Sequence, residues 1–249
     1  MRGVRGRRGR RGVVIAVAAV LVGALATGCD QGADGGKAAG GDGEPAAAAP
    51  GTVATGTAAA TQTLAPDGTT VRVGSPRAKT VVHVYEDMRC PVCKKFETEG
   101  GGEALRDLVR SGEVRAEYTL ASFLDRDGGH GSEKAANALR AALDAGRFAE
   151  FHDVLFAHQP EESVDGYTDA FLLDMASRVK GLRGQEFDAA VKGMKYRGFV
   201  TASARAFDAS GVTGTPTLKV NGRTVPPSMS GALFDKSSLP MVIGALSQS

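Results

Sequence analysis

Cysteine is scarce in this chain, with only Cys29, Cys90 and Cys93 among 249 residues. Three cysteines cannot build a multi-disulfide scaffold or the four-cysteine cage of a structural zinc. The four histidines, His83, His130, His152 and His158, are scattered and offer no evident second half for a zinc site around Cys90 and Cys93. No metal and no organic cofactor are expected. Excess charge is missing too. The net charge is +2, which leaves no broad positive field to hold nucleic acid. The apolar run Val13 to Ala26 is about fourteen residues long, short of the ~20 needed to span a bilayer as a helix.

That short run sits between informative neighbours. Arg2, Arg5, Arg7, Arg8, Arg10 and Arg11 crowd the start, and small residues follow the run. A basic start, a short apolar stretch and a small-residue exit read as an export signal over residues 1–28. The exit Ala24-Leu25-Ala26-Thr27-Gly28-Cys29 resembles a bacterial lipobox, which implies lipidation of Cys29 and a chain held at the outer face of the cell membrane. A plain secreted form and an uncleaved anchor are the alternatives. Residues 29–62 are mostly Gly and Ala, without periodicity and with few large apolar groups to bury, and read as a disordered tether.

The remaining two cysteines form the chemically distinctive motif, Cys90-Pro91-Val92-Cys93. An apolar run, Val81-Val82-His83-Val84-Tyr85, precedes it and predicts a buried strand; a helical pattern follows. Pro91 suits the first helical position, where its missing N–H would lack a partner anyway. Cys90 then sits at the helix N-terminus, where unpaired N–H groups and the helix dipole favour an anion. Such a setting lowers a thiol pKa from about 8.5 into the range of roughly 3.5–7.5. Cys90 is therefore the expected attacking thiolate. Cys93, one turn further in, is the expected buried resolving thiol. A disulfide spanning two residues adds little by loop closure, so a purely structural role is disfavoured.

Around this motif the pattern is mixed. Val71–Gly74, Thr80–Glu86 and Glu113–Ala121 predict strands, with a turn at Asp67-Gly68. A helix from Pro91 to about Arg110 is expected to break at Glu99-Gly100-Gly101-Gly102, because each Gly costs up to about 1 kcal/mol relative to Ala. Residues 125–210 carry helical stripes, including Ala135, Leu139 and Ala142 behind a Ser132 cap, and Phe148, Phe151, His152 and Leu155. These stripes read as core, and His152 as packed rather than catalytic. Thr217–Val220 and Arg223–Val225 flank the hairpin dipeptide Asn221-Gly222. Ser237 or Ser238 is the expected cap of a last helix.

The dithiol motif together with Gly211-Val212-Thr213-Gly214-Thr215-Pro216-Thr217 resembles the DsbA-like branch of the thioredoxin superfamily. The resemblance implies an α/β thioredoxin fold over residues 63–249, with a helical insertion at about 125–210 between its two halves. It also implies a cis bond before Pro216, facing the dithiol and leaving the Thr215 backbone to contact an extended substrate. Cys90, Cys93, Thr215 and Pro216 are the implied site residues. Relatives commonly place an acidic residue six positions before the first cysteine to take the buried thiol's proton; here that position is Val84, and Glu86, Asp87 or water is left to substitute. Arg89 should favour the Cys90 thiolate, while Glu86 and Asp87 oppose it.

The implied activity is a monomeric, extracytoplasmic thiol–disulfide oxidoreductase. It would donate disulfides to exported proteins with free thiols and be reset by a membrane oxidase. Rivals are a reductase or isomerase of the same fold, a copper(I) chaperone using the thiolate pair, and a binding lipoprotein without turnover.

Overall fold

The computed structural model describes residues 60–125 and 128–248. The export signal, Cys29 and nearly all of the tether lie outside the described residues. No helix among the described residues is long and apolar enough to cross a membrane.

Among the described residues six strands form one sheet: β1 (Gln62–Leu64), β2 (Val71–Val73), β3 (Thr80–Asp87), β4 (Val114–Ala121), β5 (Thr217–Val220) and β6 (Arg223–Thr224), in the order β1-β2-β4-β3-β5-β6. β3 and β4 are parallel, with Val84 opposite Tyr118, and every other pairing is antiparallel. A parallel pair needs a crossover. Here it consists of α1 (Pro91–Thr98) and α2 (Gly101–Ser111). The break between them falls where the glycines predict it, with Gly100 at φ +124°. The Asn221-Gly222 turn has φ of +47° and +83°, the positive pair that a two-residue hairpin requires.

Between β4 and β5 run α3 (Gly131–Asp144), α4 (Phe148–Ala157), α5 (Asp169–Ala176), α6 (Gln185–Lys192) and α7 (Arg197–Ala209); α8 (Ser238–Ser247) closes the chain. This is the expected thioredoxin fold with a helical insertion. The apolar stripes pack as core. Phe148, Phe151, Leu155 and Phe156 of α4 are all fully buried, each contributing about 1.5–3 kcal/mol of transfer free energy. α7 lies on the opposite sheet face, where Ser203 Oγ bonds the backbone of Leu120 and Phe207 packs on Tyr85.

The capping differs from expectation. Ser132 does not cap α3, which begins at Gly131. Asp125 accepts from the N–H groups of Ser132 and Glu133, and Asp165 from that of His130. Ser132 Oγ instead donates to Asp87 at 2.6 Å. Asp235, rather than Ser237 or Ser238, holds the first turn of α8, accepting from Ser238 N at 2.8 Å. In both helices a carboxylate does the work, adding charge complementarity to the helix N-terminus. A 3₁₀ segment, Pro227–Phe234, precedes α8 and was not anticipated.

Candidate active site

β3 ends at Asp87, and a two-residue turn delivers Cys90 to the N-cap of α1 with Pro91 in the first turn. The turn is fastened by the insertion. Gln159 Nε2 donates to Met88 O (2.8 Å) and Cys90 O (3.0 Å), and Tyr167 Oη donates to Met88 O (2.9 Å). Neither residue was singled out from sequence. Arg89 was expected to favour the thiolate. Its guanidinium is engaged elsewhere, with Leu124 O, Asp125 Oδ1 and Glu162 O.

The two sulfurs are free thiols in different surroundings. Cys90 Sγ accepts from Cys93 N at 3.4 Å, and its own S–H donates to Thr215 O at 3.3 Å. The Thr215–Pro216 bond is cis. The structure therefore brings Cys90, Cys93, Thr215 and Pro216 together. Cys29 lies outside the described residues. Cys90 keeps 6% exposure and Cys93 none, while Val92 beside them stands 46% exposed.

Electrostatics separates the pair. A hydrogen bond from the Cys93 thiol does most to lower the Cys90 pKa, to about 6. Burial opposes it, and the Thr215 hydroxyl and the Cys93 and Val92 N–H groups assist. Thr215 Oγ1 is buried without a partner at conventional hydrogen-bond distance, so its proton is free to turn toward that sulfur. Burial pushes Cys93 well up; the hydrogen bond and charge of Cys90 and the charge of Glu86 push the same way, and the Asp87 N–H pulls back. At neutral pH the site holds one thiolate and one thiol. The reduced protein should therefore show a thiolate absorbance near 240 nm with a midpoint at about pH 6, absent in Cys90→Ser. A midpoint above 8 would contradict this geometry. Because the folded pKa is depressed, the stability that the thiolate lends the reduced fold is complete above the ordinary value of about 9 and is lost as pH falls through about 6.

A second group of charges lies beneath the dithiol. Side chains alternate along a strand, so Glu86 shares its face of β3 with Val84. Glu86 is fully buried and pairs through Oε1 with His152 Nε2 of α4 at 2.6 Å. Glu97 of α1, also buried, takes Arg106 Nη1 at 2.9 Å; Arg106 also reaches Asp153 at 3.1 Å. Glu86, Glu97 and His152 present ligand atoms within 4.8 Å of one another. A cation could be held only by displacing the imidazole and guanidinium that already neutralise them. Asp87 lies on the other face. Its carboxyl is raised to about 6, chiefly by burial, and accepts from Ser132 Oγ, Arg89 N and Leu124 N. It braces the turn and has no oxygen left over. The signal for the buried cluster was present in sequence. Glu86 interrupts an apolar strand, Glu97 stands four residues after Cys93 on one helix face, and His152 lies on a core stripe.

Comparison with known proteins agrees with the fold. Residues 66–236 match the family described as Thioredoxin. Over 163 residues the chain is 34% identical to Na(+)/H(+) antiporter NhaA 3 of Salinispora tropica, covering 64% of this chain but only 22% of that protein. It is 24% identical to Disulfide bond formation protein D of Bacillus subtilis over 155 residues, 61% of this chain and 68% of that one. The oxidised crystal structure of BdbD from Bacillus subtilis superposes with a TM-score of 0.63 at 21% identity, covering 77% of this chain and 99% of the other.

Proposed function

We propose, for a chain that belongs to the thioredoxin family and to its DsbA-like branch, that it is a thiol–disulfide oxidoreductase that donates disulfides to exported proteins. The observation that carries this reading is the asymmetry of one pair of sulfurs: Cys90 held near its anionic form at a helix N-terminus, and Cys93 held protonated behind it. A substrate thiolate attacks Cys90 Sγ, the Cys90–Cys93 bond breaks, and Cys93 leaves with the electron pair and takes up a proton. A second substrate thiolate then attacks the mixed disulfide, forming the substrate disulfide and releasing Cys90 as a thiolate. No organic cofactor enters, because the disulfide carries both electrons.

The same asymmetry supports the oxidising direction. A stabilised thiolate is the better leaving group and favours the reduced dithiol, which makes the disulfide an oxidant. The Thr215 backbone next to Cys90 offers an edge for an extended chain. An export signal with Cys29 as lipid attachment would put the protein at the outer face of the cell membrane, with residues 29–62 as tether. A membrane oxidase would restore the disulfide. The likeness to a protein named for disulfide bond formation supports the same direction.

The test is stoichiometric. Oxidised protein mixed with a reduced, unfolded polypeptide carrying two cysteines should lose one Cys90–Cys93 disulfide for each substrate disulfide formed. Tight equimolar copper(I) binding with no transfer of disulfides would replace this reading with metal carriage.

A further inference from the structure

The sulfur of Cys90 owes its anionic character to where it sits. Each leading influence that lowers its pKa is a hydrogen bond: from the Cys93 thiol first, then from the Thr215 hydroxyl and from the N–H groups of Cys93 and Val92, with burial opposing them. The nearby charges are turned elsewhere. Arg89 is engaged with Leu124, Asp125 and Glu162, and the charge of Glu86 acts on Cys93. Three of the four donors belong to α1. They lie beyond the ψ torsion of Cys90, which stands at 118°. Rotation about that bond swings the Cys90 carbonyl and the start of α1 together, past a sulfur that is attached on the near side of it.

One side chain from the insertion holds that carbonyl. Gln159 is buried just past the end of α4. Its amide nitrogen places one hydrogen on Cys90 O (3.0 Å) and the other on Met88 O (2.8 Å). Both neighbours are carbonyl oxygens, which only accept, so the nitrogen end of the amide faces them. A single amide thus fixes the peptide plane before Arg89 and the peptide plane after Cys90. Gln159 is itself held. Its N–H bonds Phe156 O (3.2 Å), and Gly166 closes so tightly on the following Pro160 that an added Cβ would lie 2.4 Å from it. Arg89 Nη2 ties the same loop to the turn through Glu162 O (2.8 Å). Neither carbonyl needs Gln159 to be satisfied, because Tyr167 Oη serves Met88 O (2.9 Å) and Lys94 N serves Cys90 O (3.1 Å). Burying a glutamine costs side-chain entropy, and what it adds here is direction.

We propose that Gln159 is a positioning residue of the dithiol, holding the Cys90 carbonyl at the torsion that keeps the sulfur within reach of the α1 donors and thereby setting how strongly the disulfide oxidises. The inference rests on the thiol–disulfide reading. Without the clamp, the Cys90 carbonyl keeps only its helical bond from Lys94, and the turn is free to rotate. Hydrogen bonds weaken steeply as they bend, so the α1 donors then stabilise the thiolate less. A less stable thiolate makes the reduced pair less favourable and the disulfide a weaker oxidant. The insertion in this way tunes a reaction to which it contributes no reacting atom.

Gln159→Leu keeps the bulk and removes both bonds. It orphans neither carbonyl, so the fold should stand. Titration of the reduced protein at 240 nm should show the Cys90 midpoint moved up from about 6 by about one pH unit. At pH 7 that rise should shift the equilibrium with glutathione about fivefold toward the protein disulfide. Tyr167→Phe is the contrast. It removes a bond to Met88 O but leaves the Cys90 carbonyl clamped, and should move the midpoint less than half as far. If Gln159→Leu does not fold, Gln159→Met, unbranched like glutamine, decides by the same titration. An unchanged midpoint in the Gln159 variant that folds overturns the proposal and leaves the redox reading intact. An equal rise in Tyr167→Phe also overturns it, because the effect then belongs to a loosened turn. A wild type with no midpoint near 6 and no disulfide exchange with glutathione removes the underlying reading instead, and is recognisable without any variant.

Discussion

Cys90→Ser should reduce oxidation of a reduced polypeptide to the uncatalysed background, and Cys93→Ser should accumulate protein–substrate mixed disulfides. The two outcomes differ because the two sulfurs differ. The reacting species is a thiolate, and a serine hydroxyl neither ionises near neutral pH nor forms a bond that a thiol can exchange. Without Cys90 the less buried sulfur of the pair is gone, and the fully buried Cys93 cannot meet a substrate. Without Cys93, Cys90 still attacks a disulfide-bearing partner, but no neighbouring thiol is present to resolve the adduct. Denaturing gels without reductant should show the covalent complex, and reductant should collapse it. Cys93→Ala sharpens the test. It removes the hydrogen bond that does most to lower the Cys90 pKa, so the thiolate midpoint should climb from about 6. Full oxidising activity in Cys90→Ser would end the assignment.

The second large effect concerns stability. Gly101→Ala should destabilise the fold by about 3 kcal/mol, a fall of roughly 6–12 °C in Tm at 2–4 °C per kcal/mol for a domain of this size. A Cβ at Gly101 would lie 2.0 Å from Leu233 O and 2.7 Å from the Phe96 ring. The carbonyl belongs to backbone and cannot swing aside, so α2 or the 3₁₀ segment must move. Phe96 is fully buried beside the dithiol, and a shift there reaches the site. Gly244→Ala in α8 is the control. Nothing lies within 4 Å of its added Cβ, and removing a helical glycine should stabilise by about 0.5–1 kcal/mol. Thermal melts of the two variants should therefore move in opposite directions. Equal melting temperatures for Gly101→Ala and the wild type would mean that α2 does not approach the 3₁₀ segment this closely.

The three glycines show how far sequence reasoning reaches. Their low helix propensity located the break between α1 and α2. What crowds them, Lys236 and Phe234 at Gly100, Leu233 and Phe96 at Gly101 and Glu97 at Gly102, is something that propensity does not sense. The same division holds at the site. Strand, dithiol and helix follow one another locally, so the N-cap place of Cys90 and the deeper burial of Cys93 could be derived from spacing and from Pro91. The approach of Thr215-Pro216 spans 125 residues and was reached by resemblance rather than by periodicity.

Residue order thus sufficed for whatever depends on neighbours within a few positions: the alternation of β3, the stripes of α3 and α4, the Asn221-Gly222 hairpin, and which of two thiols faces outward. Packing alone settled where partners come from. Asp125 and Asp235 cap helices in place of the expected serines. Gln159 and Tyr167 fasten the dithiol turn from the insertion, and Arg89 turns away from the sulfur it was expected to help. Glu86 meets His152 across 66 residues. Burial leaves a repeating trace along the chain because the backbone repeats. A salt bridge between distant helices and strands leaves none, because its energy depends on a distance that exists only once the core has closed.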